Sequence, residues 1–172
     1  MKAIKKIGLL LLLLAFSLCW VSNADAQNSK EEKKAKQEAE IKKLLDSQNY
    51  VFKAQTAFPL GARSRQLNYD YDLRVTKDAV ISYLPYYGRA YSASPGQSNG
   101  LDFTTKDFEY IIKENSKNDG WDIIIKPKDT QQARELFLTA FKNGTANLQV
   151  TSNDKQNISY AGYITANKTK KK

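Results

Sequence analysis

From Tyr50 onward, apolar residues fall at every second position, the period of a half-buried strand. Tyr50-Val51-Phe52-Lys53-Ala54 opens a strand. Residues 67–76 alternate most regularly, with Leu67, Tyr69, Tyr71, Leu73 and Val75 on one face and Asn68, Asp70, Asp72, Arg74 and Thr76 on the other. The first set is expected to be buried and the second to face water. Residues 79–84 give the next strand. Phe108, Tyr110 and Ile112 alternate with Glu109, Ile111 and Lys113, and Trp121, Ile123 and Ile125 with Asp122, Ile124 and Lys126. Asn118-Asp119-Gly120 between them reads as a hairpin turn with Gly120 at positive φ. Leu136–Phe141 and Thr145–Thr151 flank Asn143-Gly144, a strong hairpin signal. A last strand, Asn157–Ile164, follows a turn at Ser152-Asn153-Asp154. Lys128 to Glu135 reads as a short helix or turn. The stretch Pro85–Lys106 carries Pro85, Gly88, Pro95, Gly96 and Gly100 and reads as irregular over most of its length. Short strands joined by tight turns predict a mainly β fold, an antiparallel meander that closes into a small barrel or a two-sheet sandwich.

Two segments before Tyr50 break this period. Residues 28–48 have helical composition, with Ser29 and Glu32 in capping-box spacing and Glu38 and Lys42 placed for an i,i+4 pair. Only Ile41, Leu44 and Leu45 are apolar toward its end, so the last two turns should dock and the start should stay in water. Earlier still, Lys2, Lys5 and Lys6 precede an apolar run from Ile7 through Leu18 that ends before Ala24-Asp25-Ala26. A basic start, a short apolar middle and a small-x-small end make a cleavable secretory signal. The run is short for a membrane span, which needs about 20 residues. Cys19 follows Leu18 rather than a small residue, so it reads as part of the discarded segment and not as a lipid acceptor. The organisation is then a signal peptide at 1–26, a charged helix at 27–48, a β-rich domain at 49–165 and a basic disordered tail at 166–172. Cleavage near Ala26 would place the protein in the periplasm or cell envelope.

Charge is read after cleavage. The segment from Gln27 to Lys172 holds 24 basic and 17 acidic residues, a net charge of +7, and four of those lysines are Lys168, Lys170, Lys171 and Lys172. A nucleic-acid partner would need basic residues arrayed on a folded face, and none is expected. Weak attraction of the tail to an anionic membrane surface is conceivable, but a solvated, disordered tail is the simpler reading.

The chain has no histidine, and Cys19 is its one cysteine. That removes Ser–His–Asp and Cys–His catalysis, imidazole metal sites and structural zinc from the β-rich domain. No metal site and no cofactor is expected. Asp70 and Asp72 invite a glycosidase-type reading because they share one side of a strand, but Asn68 and Arg74 share it too, as on a solvent-facing side. Asp102 and Asp107 read as caps for local backbone donors. The richest cluster is Tyr83-Leu84-Pro85-Tyr86-Tyr87-Gly88-Arg89-Ala90-Tyr91. Tyrosine has a flat apolar body and a polar tip, and arginine a charged fork. Tyr86, Tyr87, Arg89 and Tyr91 are therefore the candidate ligand-binding residues, against the plainer alternative that they are core. Arg63 and Arg65 beside Gly61 form a second small basic loop.

Several segments carry a likeness: Ala57-Phe58-Pro59-Leu60-Gly61-Ala62-Arg63-Ser64-Arg65, Ser82 through Tyr91, Phe103 through Phe108, Gly120-Trp121 with Ile125 through Asp129, Asn143-Gly144, Leu148 through Ser152, and Ile158-Ser159-Tyr160. In this order they resemble the domain of unknown function 4251 family of exported, Bacteroides-like bacterial proteins. The resemblance implies an envelope or secreted location and a single β-rich domain. It implies no activity, no catalytic residue and no ligand.

These readings point to an exported, non-enzymatic binding module for a small molecule, a glycan or an envelope protein. The alternatives are a structural or assembly partner in the envelope and, third, a hydrolase working with carboxylates alone. Mass spectrometry of the exported protein is expected to find Gln27 at or near the N-terminus with no lipid attached. A species starting at a lipidated Cys19 would overturn this.

Overall fold

The computed structural model describes residues 24–91 and 100–167, with side chains described from Lys30. The signal at 1–26, apart from its last three residues, and the tail from Lys168 lie outside the described residues. One helix, α1 (Ala24–Asp46), leads into ten strands: β1 (Tyr50–Pro59), β2 (Arg65–Gln66), β3 (Asp72–Val75), β4 (Val80–Leu84), β5 (Leu101–Thr105), β6 (Phe108–Asn115), β7 (Gly120–Pro127), β8 (Glu135–Phe141), β9 (Thr145–Thr151) and β10 (Ile158–Ala166). The chain divides into two compact units, one up to Lys36 and one from Gln37 onward. All strands lie in the second.

Of the two folds expected, the protein forms the barrel. Nine strands run in the order β5-β4-β3-β1-β10-β9-β8-β7-β6 in a nearly closed sheet, with β2 paired beside β3 on the long β1. The first and last strands close it, Tyr50 opposite Ala166 and Pro59 opposite Ile158. Every ladder is antiparallel. Counted either way round from β1, the alternation makes β5 and β6 run in the same direction. Only Lys106 and Asp107 separate them, so they are successive halves of one bent strand: the first pairs with β4 and the second with β7. The nine strands thus make eight staves, the even number that a closed antiparallel ring requires.

A bend in a strand frees backbone donors that must find other partners. Here the Asp129 carboxylate accepts from the amides of Lys106 and Asp107 at 3.0 and 3.3 Å and from the Thr105 hydroxyl. The Lys128 amide donates to the Asp107 carbonyl at 2.9 Å. Gln132 lies beside β5 like a short strand: its side-chain amide donates to the Asp102 carbonyl at 3.0 Å and accepts from the Asp102 amide at 3.1 Å. The capping carboxylate is therefore Asp129, not Asp102 or Asp107.

The interior is filled by the inward half of each stave: Tyr50 and Phe52, Leu73 and Val75, Leu84, Leu101, Ile123 and Ile125, Leu136 and Leu138, Leu148 and Tyr160, all 2% exposed or less. Gly162 faces inward on β10, where a Cβ would strike the Lys53 carbonyl and crowd the Phe52 ring. The second unit's part of α1 covers one end of the barrel. Ile41 and Leu45 join the core, Gln37 donates to the Asn143 carbonyl at 2.7 Å, and Tyr110 donates to the Leu45 carbonyl at 3.1 Å. The expected Glu38–Lys42 pair does not form. Glu38 pairs across to Lys142 at 3.1 Å and Lys42 pairs with Asp46 at 2.7 Å, because those partners face the docked turns.

Three other expectations are corrected. Tyr69 is 75% exposed and Asp72 only 5%, because the strand begins at Asp72 and the preceding residues leave the sheet. Leu67, Leu73 and Val75 are buried as expected, and Tyr71 is half-buried. The stretch Pro85–Lys106 contains β5, whose Leu101, Phe103 and Thr105 point inward. At the β6–β7 turn Asp119 takes the positive φ, 51°, rather than Gly120. Gly120 is needed for a different reason, since a Cβ there would collide with the Ala140 carbonyl. Gly144 does sit at φ 83°, as the Asn-Gly turn demands. Of the helix or turn expected from Lys128 to Glu135, the turn is what forms, and β8 begins at Glu135.

Two variants probe this scaffold. The Thr105 hydroxyl and the backbone amides that Asp129 accepts hold its carboxyl below the usual range. Its contribution is therefore present above the unfolded pKa of about 3.9 and is lost as pH falls through the lower folded value. Asp129→Asn should lower Tm at pH 7, and the gap to the parent protein should close below about pH 4; an equal gap at both pH values would disprove the cap. The Tyr50 hydroxyl, by contrast, is buried beside Tyr110 and makes no well-formed hydrogen bond among the described residues, and burial pushes its pKa well up. Tyr50→Phe should thus leave stability unchanged or raise it by up to about 1 kcal/mol, while Tyr110→Phe should cost about 1 kcal/mol by deleting the bond to Leu45. Chemical denaturation distinguishes the two, and a costly Tyr50→Phe would mean that the hydroxyl is bonded.

Candidate functional site

The turns of α1 from Gln37 onward cover one end of the barrel, and the tyrosine-rich segment belongs to the other. Along β4, Val80, Ser82 and Leu84 point inward and Ile81 and Tyr83 outward. Pro85, which has no amide to donate, ends the strand. Its carbonyl accepts from the Tyr160 hydroxyl at 2.6 Å, and burial pushes the Tyr160 phenol pKa far up, so it stays a donor.

Past Pro85 the chain doubles back onto the β9–β10 loop. The Gln156 amide donates to the Arg89 carbonyl at 3.0 Å and the Tyr91 amide to the Asp154 carbonyl at 2.7 Å, with Ala90 bridged to Lys155. The Tyr86 hydroxyl lies 2.9 Å from the Arg89 carbonyl and 3.0 Å from that of Gln156. A Cβ on Gly88 would strike the Tyr86 hydroxyl, so a side chain there would push that hydroxyl off its two carbonyls. The buried Lys155 holds the two ends of the loop: its ammonium donates to the Gly100 carbonyl at 3.0 Å and lies 5.4 Å from the Tyr86 ring centre.

This zipper sorts the four candidate residues. Tyr86 and Tyr87 turn into an open concavity of about 320 Å³, which Tyr71, Tyr83, Gly100 and Asp102 also line. Arg89 and Tyr91 do not line it; both are exposed. Their backbone atoms are committed to Gln156 and Asp154, which turns the side chains away. Besides Lys155, Arg65 reaches the cluster, with its guanidinium 4.8 Å above the Tyr87 ring. Tyr71 and Tyr83 are the members that the sequence did not single out. Their rings are 5.4 Å apart and tilted by 34°, and Tyr83 remains 51% exposed. Burial pushes the Tyr71 phenol above its ordinary value, with the neighbouring Tyr87, Tyr83 and Tyr69 adding to it. One signal was available. In Asn68-Tyr69-Asp70-Tyr71-Asp72 the alternation is aromatic against acid, with none of the aliphatic residues that fill this barrel.

The carboxylate pair separates as well. Asp72 is directly opposite Lys53 and Tyr83 in the ladder, and its carboxylate lies 3.0 Å from the Lys53 ammonium and 3.3 Å from the Arg74 guanidinium. Asp70, outside the strand, stands in water with Lys53 at 3.8 Å. Asp72 is thus engaged in a charge network, while Asp70 faces solvent.

The comparisons fit this geometry. No curated protein matches the chain. The fold is similar to the crystal structure of a DUF4251 family protein from Bacteroides eggerthii DSM 20697, with a TM-score of 0.52 at 13% identity over 76% of this chain and 87% of that one. At that identity the likeness concerns the fold alone. The family model described as Domain of unknown function (DUF4251) matches residues 32–164. That span takes in every strand and the docked turns of α1, and the chain belongs to the DUF4251 family.

Proposed function

We propose that this protein is an exported, non-enzymatic binding module whose ligand lies against the tyrosines at the open end of the barrel. The observation that carries this reading is the convergence of Tyr71, Tyr83, Tyr86 and Tyr87 from separate stretches of chain onto one concavity. The barrel interior is filled by side chains, so recognition falls to the rim. Aromatic faces left in water beside Arg65 and Asp102 gain most when a partner covers them. The non-enzymatic part rests on the chemistry at hand. Phenols raised above their ordinary pKa do not ionise at neutral pH, and the Asp72 carboxylate is bound to two cations. Export rests on the signal pattern at 1–26.

A second reading, an assembly partner in the envelope, is favoured by Phe58 and Leu60. Both are exposed at the β1–β2 turn beside Arg63.

A thermal-shift screen of glycans and metabolites, followed by calorimetry, tests the cleft. Tyr83→Ala should weaken the ligand found by about tenfold or more with Tm nearly unchanged, since that ring is half in water. Arg89→Ala, outside the cleft, should leave affinity unaltered. The reverse result, with Arg89 essential and Tyr83 dispensable, would overturn this assignment.

A further inference from the structure

A second concavity of about 510 Å³ lies on the outer face, between β1, β10 and the chain before β3. Tyr163 of β10 stands on one side and Tyr69 on the other, with Lys53, Gln55 and Asn68 between them. Tyr71 lines both concavities, so they adjoin at that residue. The rings form a continuous series: Tyr69 meets Tyr71 edge-on at 6.0 Å, and Tyr71 meets Tyr83 at 5.4 Å. Tyr69 and Tyr163 are both exposed.

Most charges along this path are matched by an opposite charge, with the Lys155 ammonium beside Tyr86 as an additional cation. Lys53 and Arg74 face Asp72 and Asp70, and Asp102 in the first cleft is matched by Arg65 over Tyr87. The remaining polar groups include the exposed amides of Gln55 and Asn68, which both donate and accept.

We propose that the two concavities form one groove for an uncharged oligosaccharide longer than a disaccharide. This rests on the reading of the first cleft and names its ligand class. Sugar rings present an apolar C–H face for the tyrosines and a neutral rim of hydroxyls for the amides and the Lys53–Asp70 pair. An acidic glycan would bring negative charge up to Asp70 and Asp102. A small metabolite filling one cleft would leave Tyr69 and Tyr163 in water. A peptide cannot add as a strand here: β1 is paired on both sides, and at the bulge beside Ala54 the Gln55 carbonyl already accepts from Leu67 at 2.8 Å.

Isothermal titration calorimetry on the protein from Gln27 onward tests this with cello-, xylo-, manno-, malto- and chitohexaose, their disaccharides and hexagalacturonate. At least one neutral hexasaccharide should bind, its disaccharide at least tenfold more weakly. Tyr69→Ala and Tyr163→Ala should each weaken binding by about tenfold, as Tyr83→Ala does, with Tm unchanged. If Tyr83 matters and Tyr69 and Tyr163 do not, the extended groove is wrong and the first cleft stands. If Tyr69 and Tyr163 matter and Tyr83 does not, the first cleft falls and the continuous groove with it. Failure of every neutral hexasaccharide, preference for hexagalacturonate, or equal affinity for a disaccharide also overturns the proposal.

Discussion

Closure of the antiparallel ring is the constraint on which the rest of this structure depends. A ring of antiparallel staves must have an even number, and β1 can meet β10 only if the chain from β5 to β6 counts once. The sequence achieves this by bending one strand instead of turning it, which leaves two amides at Lys106 and Asp107 without ladder partners. A single carboxylate, Asp129, replaces them. The same bend lets Thr105 point inward as the last residue of β5 while its hydroxyl serves the cap. A local polar contact thus carries a global consequence, because an unsatisfied bend would leave two strand edges open.

Closure also decides where function can reside. The interior of an eight-stave barrel is either filled by side chains or holds one small ligand, and here Phe52, Leu136, Leu148 and Tyr160 fill it. With the Gln37–Asp46 turns of α1 over one end, the accessible aromatic surface is the outer face and the opposite rim. The tyrosines divide accordingly. Tyr50 and Tyr160 are interior, and Tyr160 spends its hydroxyl on the Pro85 carbonyl. Tyr69, Tyr83 and Tyr163 keep their rings in water.

That division explains what could be read from the sequence. Where apolar residues alternated with charged ones, as Trp121, Ile123 and Ile125 do with Asp122 and Lys126, the inward face was legible, because the charged positions give the period a direction. Asn143-Gly144 was legible because the turn needs positive φ. Tyr69 was misread because tyrosine fits a pleated core and a wet surface equally well, so its period carries no direction. Strand β5 was hidden by the prolines and glycines upstream, although Leu101, Phe103 and Thr105 alternate as well as any strand. Asp129 carried no local pattern at all, since the amides it caps are more than twenty residues away.

The site was harder to read than the fold for a related reason. Tyr86, Tyr87, Arg89 and Tyr91 are neighbours in sequence, but the backbone bonds from Arg89 and Tyr91 to Gln156 and Asp154 turn the latter two away. Their places are taken by Tyr83 from the same stretch and by Tyr71 and Arg65 from other stretches of chain. Tyr71 is the pivot, and its position follows from the end of β3. One residue further along, Asp72 is locked into the ladder between Lys53 and Arg74. The Tyr71 carbonyl still accepts from the Ala54 amide at 2.9 Å, so the backbone stays tied to β1 after the strand has ended. The ring is therefore free to leave the sheet face while its Cα is not. That combination, a fixed backbone with a half-buried ring between Tyr69 and Tyr83, turns separate surface tyrosines into one continuous aromatic path.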